Sequence, residues 1–280
     1  MLAYRDRGEG EAVTLLHGFT QSGESWDELG NLLASRWRWI TLDLPGHGRT
    51  RHVGATMPAA ALAVVSLWDR LGISRSHVAG YSLGGRLALW LAAHHPDRLL
   101  SLTTIGAHAG LTGDVRRRRQ DQDAALASRI EAEGVERFVG EWGALPLFAG
   151  LARRGPAYLE HVRQWRLGNT AAGLAASLRG MGAGATEPFW TRLPAISVPT
   201  LLVAGAEDPR YIDAARELAG RIPRSRVAVV PDAGHTVHLE QPEAFASLLR
   251  AHLDAASASI TAPDPASTTA RTRPRPPRSA

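Results

Sequence analysis

Apolar positions along the 280-residue chain follow two alternating rhythms. Short runs rich in Val, Leu and Ile at 13–17, 39–42, 77–80, 99–105, 200–205 and 226–230 predict strands. The run Tyr4-Arg5-Asp6-Arg7 is mostly polar and reads as a first, edge strand. Between these runs the spacing predicts helices over 26–36, 59–71, 83–94, 214–221 and 242–253. The last opens with Gln241-Pro242-Glu243, which puts proline and an acid in the first turn, where neither costs a helical hydrogen bond. Strand and helix in alternation demand a mostly parallel central sheet flanked by helices, an α/β fold.

The alternation breaks over residues 111–193, which read helical throughout with no convincing strand. This interval lies between two core strands. It therefore predicts a helical lid inserted over the sheet, the alternative being a separate domain. The core is then 1–110 together with 194–254. From 255 to 280 the chain is almost entirely Ala, Ser, Thr, Pro and Arg, and it is expected to be a disordered tail.

Candidate chemistry falls at predicted strand ends. Gly80-Tyr81-Ser82-Leu83-Gly84 places a serine directly after a strand and before an apolar helix. A nucleophile there sits on a strained turn, and the flanking glycines keep backbone clear of its side chain. The helix N-terminus points N–H groups at developing negative charge. A second donor can follow an earlier strand, at His17-Gly18-Phe19. The backbone amides of Phe19 and Leu83 are thus a candidate oxyanion hole. His235, in Asp232-Ala233-Gly234-His235 after the last strand, is the candidate base. Asp208, after the preceding strand, is the candidate orienting acid, with Glu207 as the fallback. His94, His95, His108, His161 and His252 lack evident partners and read as structural. His238 near His235 does not by itself make a metal site, and Asp43-Leu44-Pro45-Gly46-His47-Gly48 reads as a structural turn.

Composition narrows the chemistry further. The chain has no cysteine, which excludes disulfides, thiolate metal sites and a cysteine nucleophile and fits a cytoplasmic setting. All 32 basic residues are arginine, so lysine chemistry is excluded. The net charge is +5, of which residues 255–280 hold +3, from four arginines and one aspartate. No basic stripe interleaved with aromatics suggests nucleic acid. No run approaches the roughly 20 apolar residues of a membrane span, and the N-terminus shows no signal-peptide pattern.

Leu16-His17-Gly18-Phe19, Asp43 to Gly48, Gly80 to Gly85, Gly205-Ala206-Glu207-Asp208 and Ala233-Gly234-His235 occur in the order of the α/β-hydrolase superfamily, which the chain resembles from about residue 1 to 253. Finer motifs resemble the 2-succinyl-6-hydroxy-2,4-cyclohexadiene-1-carboxylate synthase family of menaquinone biosynthesis. They are Gly80-Tyr81-Ser82-Leu83-Gly84-Gly85-Arg86, then Arg116 and Arg119 ahead of Asp123, and Phe138-Val139-Gly140-Glu141-Trp142 leading to Pro146-Leu147-Phe148. Arg166 with Asn169, Met181-Gly182-Ala183-Gly184 and the stretch from His235 to Pro242 complete the series. The run Arg116 to Arg119 offers four arginines where the pattern needs two, so the register is open by one.

The resemblance implies an elimination. Ser82, activated by His235, would take a ring proton from a succinyl-cyclohexene carboxylate bearing an enolpyruvyl ether, and pyruvate would leave. No metal or organic cofactor is implied. Such a tricarboxylate needs planar, permanent cations, and arginine binds carboxylates bidentately. Arg86, one turn beyond Ser82, is therefore a candidate substrate contact, with Arg119 and Arg166 in the insertion. Tyr81 and Trp142 are candidates to line the pocket. The rival readings are an esterase or C–C bond hydrolase using the same triad, and a non-catalytic protein of the same fold.

Overall fold

The computed structural model describes residues 1–33, 36–50 and 55–261. Its sheet has seven strands, β1 (Tyr4–Arg7), β2 (Ala12–Leu16), β3 (Arg38–Leu42), β4 (Ser76–Tyr81), β5 (Leu99–Ile105), β6 (Thr200–Gly205) and β7 (Ser225–Val230), in the order β1-β3-β2-β4-β5-β6-β7. Only β1 runs antiparallel, paired with β3. Every position of β2, β4, β5 and β6 is buried, as expected of parallel strands covered on both faces, whereas edge strand β1 is largely exposed.

Ten helices accompany the sheet among the described residues. They are α1 (Asp27–Leu33), α2 (Met57–Arg70), α3 (Leu83–His94), α4 (Gly113–Glu133), α5 (Val135–Gly143), α6 (Pro156–Leu167), α7 (Ala171–Met181), α8 (Pro209–Ala219), α9 (Val237–Glu240) and α10 (Pro242–Thr261). The two-residue period of each strand splits the core into two layers. Leu16, Val78, Leu102 and Leu202 face α2, α3 and α8, where Val64, Leu67, Trp68, Leu87 and Leu218 pack. Val13, Leu15, Ala79, Ile105 and Val203 face α1 and α10, against Trp26, Leu29, Phe245 and Leu249.

Three sequence-based boundaries are corrected. The helix expected over 26–36 starts as a 3-10 turn, Gly23–Trp26, and continues as α1; residues 34 and 35 lie outside the described residues. The helix expected from 214 starts at Pro209, because proline at the first position adopts helical φ without losing a bond. The disorder expected from 255 fails for 255–261, where α10 continues and Ala256 is fully buried. The rest of that expected tail, 262–280, lies outside the described residues.

Between β5 and β6 stand α4 to α7, and no strand occurs among them. They share a small core of their own, with Ala127 and Ile130 of α4 against Phe138 and Val139 of α5 and Leu174 and Leu178 of α7. The insertion meets the turn that follows β3 at very close range. A Cβ on Gly46 would lie 2.2 Å from the carbonyl oxygen of Gly173, so glycine is required on the core side for α7 to seat there.

Candidate active site

The turn from β4 to α3 holds Ser82 at φ +50°, ψ −106°, outside the regions that non-glycine residues favour. Neighbouring backbone makes that turn possible only with small residues. A Cβ on Gly80 would lie 2.2 Å from Gly84 O, and one on Gly84 2.1 Å from Leu16 O. The turn is pinned by Ser82 N–H donating to Ile105 O and Arg86 N–H donating to Ser82 O.

His235 lies in the loop after β7 and is 3% exposed. Its Nδ1–H donates to Asp208 Oδ2 at 2.8 Å, which leaves Nε2 to accept from the Ser82 hydroxyl at 3.2 Å. Asp208 is buried and is the residue from which α8 springs. Glu207, the fallback, is exposed and pairs with Arg153. The three side chains therefore form a relay that can make the Ser82 oxygen basic or nucleophilic.

The His235 loop is held by a residue that sequence reasoning did not single out. The buried carboxylate of Glu240 accepts from the amides of Gly234 and Thr236 and from the Thr236 hydroxyl. Arg153, on the 3-10 segment Pro146–Arg154 of the insertion, reaches Glu240, Glu207 and the carbonyl of Asp232. One guanidinium thus ties the insertion to the loops of both His235 and Asp208.

The Phe19 turn is equally well supported. His17 is fully buried; its Nδ1–H donates to Gly18 O and its Nε2 accepts from Leu44 N–H. Burial pushes its pKa down to about 4, so it is a neutral strut. Asn169 of the insertion donates to Thr20 O and accepts from Gly48 N–H, joining the Phe19 turn to the turn of residues 43–48. The amides of Phe19 and Leu83 have no acceptor among the described residues, and both residues line the same cavity as Ser82. They are free to receive an oxyanion.

That cavity has a volume of about 350 Å³ and lies between the strand ends and the insertion. Ser82, His235, Arg86, Arg119, Arg210 and Trp142 are among its walls. Arg86 is buried, and the one hydrogen bond its guanidinium makes among the described residues is to the Thr186 hydroxyl at 3.1 Å. Burial lowers its pKa to about 10, which leaves it charged at neutral pH. Arg119 shares a helix face with Asp123, Ala127 and Ile130, and its Nε donates to Asp123 at 2.7 Å. Of the four consecutive arginines only Arg119 lines the cavity; Arg116 turns to Gly184 O and Glu187, Arg117 pairs with Asp114, and Arg118 is absent from the wall. Trp142 stands edge-on to Phe19, and its buried indole N–H has no acceptor among the described residues.

Two expected contacts are placed differently. Tyr81 is buried beneath the relay, its ring 4.5 Å from His238 and 5.2 Å from His235, and is absent from the cavity wall. Arg166 is buried with its guanidinium 4.7 Å from the Phe148 ring centroid and is likewise absent from the wall. Its Nε has no partner, and its guanidinium makes no ion pair among the described residues. Conversely, His108, read as structural, lines the cavity. Burial, reinforced by Arg86, Arg210 and Arg119, pushes its pKa down to about 3. Three arginines close enough to reinforce that effect give this part of the pocket a positive character.

The α/β-hydrolase fold pattern matches residues 11–242. A protein from Serratia proteamaculans, named 2-succinyl-6-hydroxy-2,4-cyclohexadiene-1-carboxylate synthase, is 32% identical over 260 residues, covering 89% of this chain and 97% of its own. A Bacillus subtilis protein, provisionally given the same name, is 38% identical over 246 residues, covering 85% of this chain and 89% of its own. The chain belongs to the 2-succinyl-6-hydroxy-2,4-cyclohexadiene-1-carboxylate synthase family. The solved structure of MenH from S. aureus has the same architecture as this family member, with a TM-score of 0.85 at 27% identity over 91% of this chain and 98% of its own. No helix among the described residues is long and apolar enough to cross a membrane.

Proposed function

We propose that the chain eliminates pyruvate from 2-succinyl-5-enolpyruvyl-6-hydroxy-3-cyclohexene-1-carboxylate to give 2-succinyl-6-hydroxy-2,4-cyclohexadiene-1-carboxylate, a lyase step of menaquinone biosynthesis. The observation that carries this reading is one cavity with the Ser82 hydroxyl on one wall and Arg86, Arg119 and Arg210 on the others. An ester hydrolase needs the serine but not three cations. A tricarboxylate needs both.

His235, its Nδ1–H held by Asp208, takes the Ser82 hydroxyl proton at Nε2. The Ser82 oxygen takes the ring proton beside the succinyl ketone. The electron pair spreads onto the ketone oxygen, where the Phe19 and Leu83 amides receive the charge. It then returns through the ring double bond and expels the enolpyruvyl oxygen. The His235 imidazolium protonates the oxygen of the departing enolate, the resulting enol tautomerises to pyruvate, and Ser82 and His235 end in their starting forms. The helices α4 to α7 act as a lid, which carries Arg119 over the substrate and excludes water. Arg166 reaches a substrate carboxylate only if α6 shifts toward the cavity, and a buried cation without a counter-charge is poised for such a partner. Tyr81 positions His235 from below. Cytoplasmic location belongs to the same reading and is supported by a chain that uses no disulfides.

Incubation with the purified cyclohexene substrate tests this directly. The expected result is pyruvate released one-for-one with substrate loss and with the rise in absorbance of the conjugated diene. Turnover of a chromogenic ester with no pyruvate from this substrate would establish the hydrolase instead.

A further inference from the structure

We propose that His108, Arg210 and Tyr211 form a subsite for the carboxylate of the small leaving acid, pyruvate, at the wall between the reaction cavity and a second cavity that opens outward. The proposal rests on the lyase reading above and goes beyond it by assigning where the leaving fragment is held.

The second cavity, of about 620 Å³, begins at the start of α4 with Leu111 and Thr112 and runs along α8 to Glu217. His108, Arg210 and Tyr211 line both cavities. No other part of the reaction-cavity wall is shared with it.

Each of the three offers a donor without a protein acceptor among the described residues. His108 Nδ1 accepts from Gly110 N–H at 3.0 Å, so in the neutral ring the proton is on Nε2. Burial, reinforced by the surrounding arginines, keeps the ring neutral, and Nε2–H remains a donor with no acceptor among the described residues. Arg210 stands exposed in the first turn of α8, two residues past Asp208, and makes no ion pair or hydrogen bond; its guanidinium lies 5.7 Å from the Tyr211 ring centroid. The Tyr211 hydroxyl is likewise unbonded, and its ring lies 4.5 Å from that of His235.

A 2-oxo acid matches this set. Its carboxylate suits a guanidinium fork, and its enol or keto oxygen suits an imidazole N–H and a phenol. Proximity to His235 puts that oxygen beside the imidazolium that protonates it. Along the outer cavity the cations are matched by acids: Glu217 pairs with Arg221 and Asp213 with Arg216. An anion passing the wall therefore meets no second trap, and the small product can leave while the larger one stays inside.

Titration of the full-length protein with sodium pyruvate, following the His108 ring nitrogens by NMR, tests the subsite without requiring turnover. The wild type should show saturable shifts at His108. Arg210→Gln should weaken pyruvate binding, and its inhibition of turnover, at least about tenfold, the loss expected for a charged hydrogen bond. His108→Asn, which can still accept from Gly110, and Tyr211→Phe should weaken it in the same direction. Inhibition by succinate, which probes the other end of the substrate, should be unchanged in all three. Wild-type pyruvate affinity in all three variants, or equal weakening of succinate, would overturn the subsite. A wild type that binds pyruvate through these residues yet releases none from the cyclohexene substrate would overturn the lyase reading alone.

Discussion

Ser82 and Arg119 face the same cavity from supports of different kinds. Ser82 stands between a fully buried strand and a helix buried at ten of its twelve positions, on a turn whose neighbours leave no room for a Cβ at Gly80 or Gly84. The loops around it are pinned by buried, fully paired groups such as His17 and Glu240. Arg119 stands on α4, a helix with only three buried side chains, and the insertion adds exposed ion pairs such as Arg179–Glu131 and Arg137–Glu141. Exposed pairs of this kind are screened by solvent and contribute little to stability. On the proposed reading, the core fixes the reaction geometry and shares substrate recognition, through Arg86 and Arg210, with an insertion that supplies Arg119.

The sharpest way to break that division is to truncate each side. Ser82→Ala and His235→Ala should each cut kcat for pyruvate release by about a thousandfold or more, and the double variant should add little, since groups acting as one unit are non-additive. Melting temperature should hardly move. An Arg119→Ala variant that lost more in kcat than Ser82→Ala would reverse the roles of the two regions.

Next come the cations. Arg86→Ala and Arg119→Ala should each lower kcat/KM by at least about thirtyfold, the effect of removing one partner of a desolvated charge pair. Arg117→Ala and Arg118→Ala, off the cavity, should matter far less. Arg166→Met separates function from stability. Replacing a buried, unpaired guanidinium with an apolar chain should hold or raise the melting temperature. A fall in kcat/KM in the same variant would bring Arg166 to the substrate, and an unchanged value would leave it a packing residue.

Acid should weaken the core rather than the lid. Burial lowers the pKa of His17 and His252 to about 4, and of His47, His108 and His238 to about 3, from an ordinary 6.5. None of the five lies in the insertion. Below pH 6.5 the unfolded chain binds more protons than the folded one, so stability is fully present above about 6.5 and lost as pH falls toward 4 and 3. Each group contributes at most about 1.4 kcal/mol per pH unit. Urea midpoints measured at pH 7.5, 6 and 5 should fall with pH; a flat series would mean these histidines are not buried neutral.

The smallest effect concerns the end of the chain. Removing 262–280 should change neither turnover nor melting temperature. Removing 255–280 also takes away buried Ala256 and the last turns of α10, and should cost about 1 kcal/mol.

The relay was legible in the sequence because its parts sit where strands end. A glycine-flanked serine between strand and helix, and Asp208 and His235 after successive strands, are local patterns. The cavity wall was less legible because its members meet only through topology. His108 follows β5 with no local motif, and Arg210 looks like a surface arginine on an amphipathic helix. Glu240 owes its role to four partners brought together by one loop and one lid residue. Arg166 and Tyr81 were found as positions, but their packing under Phe148 and His235 depends on how α6 and β4 approach, which no periodicity reports. The end of α10 was misjudged because Ala and Ser read as linker, although a small residue such as Ala256 buries as well as a large one where the helix lies flat on the sheet.

Quenched single-turnover mass spectrometry of the wild type on the cyclohexene substrate bears most directly on the central claim, that Ser82 acts as a base held by the core while the arginines hold the substrate. Pyruvate should appear at the rate at which substrate disappears, with Ser82 unmodified at every time point. A covalent substrate adduct on Ser82 that forms and decays during turnover would contradict it.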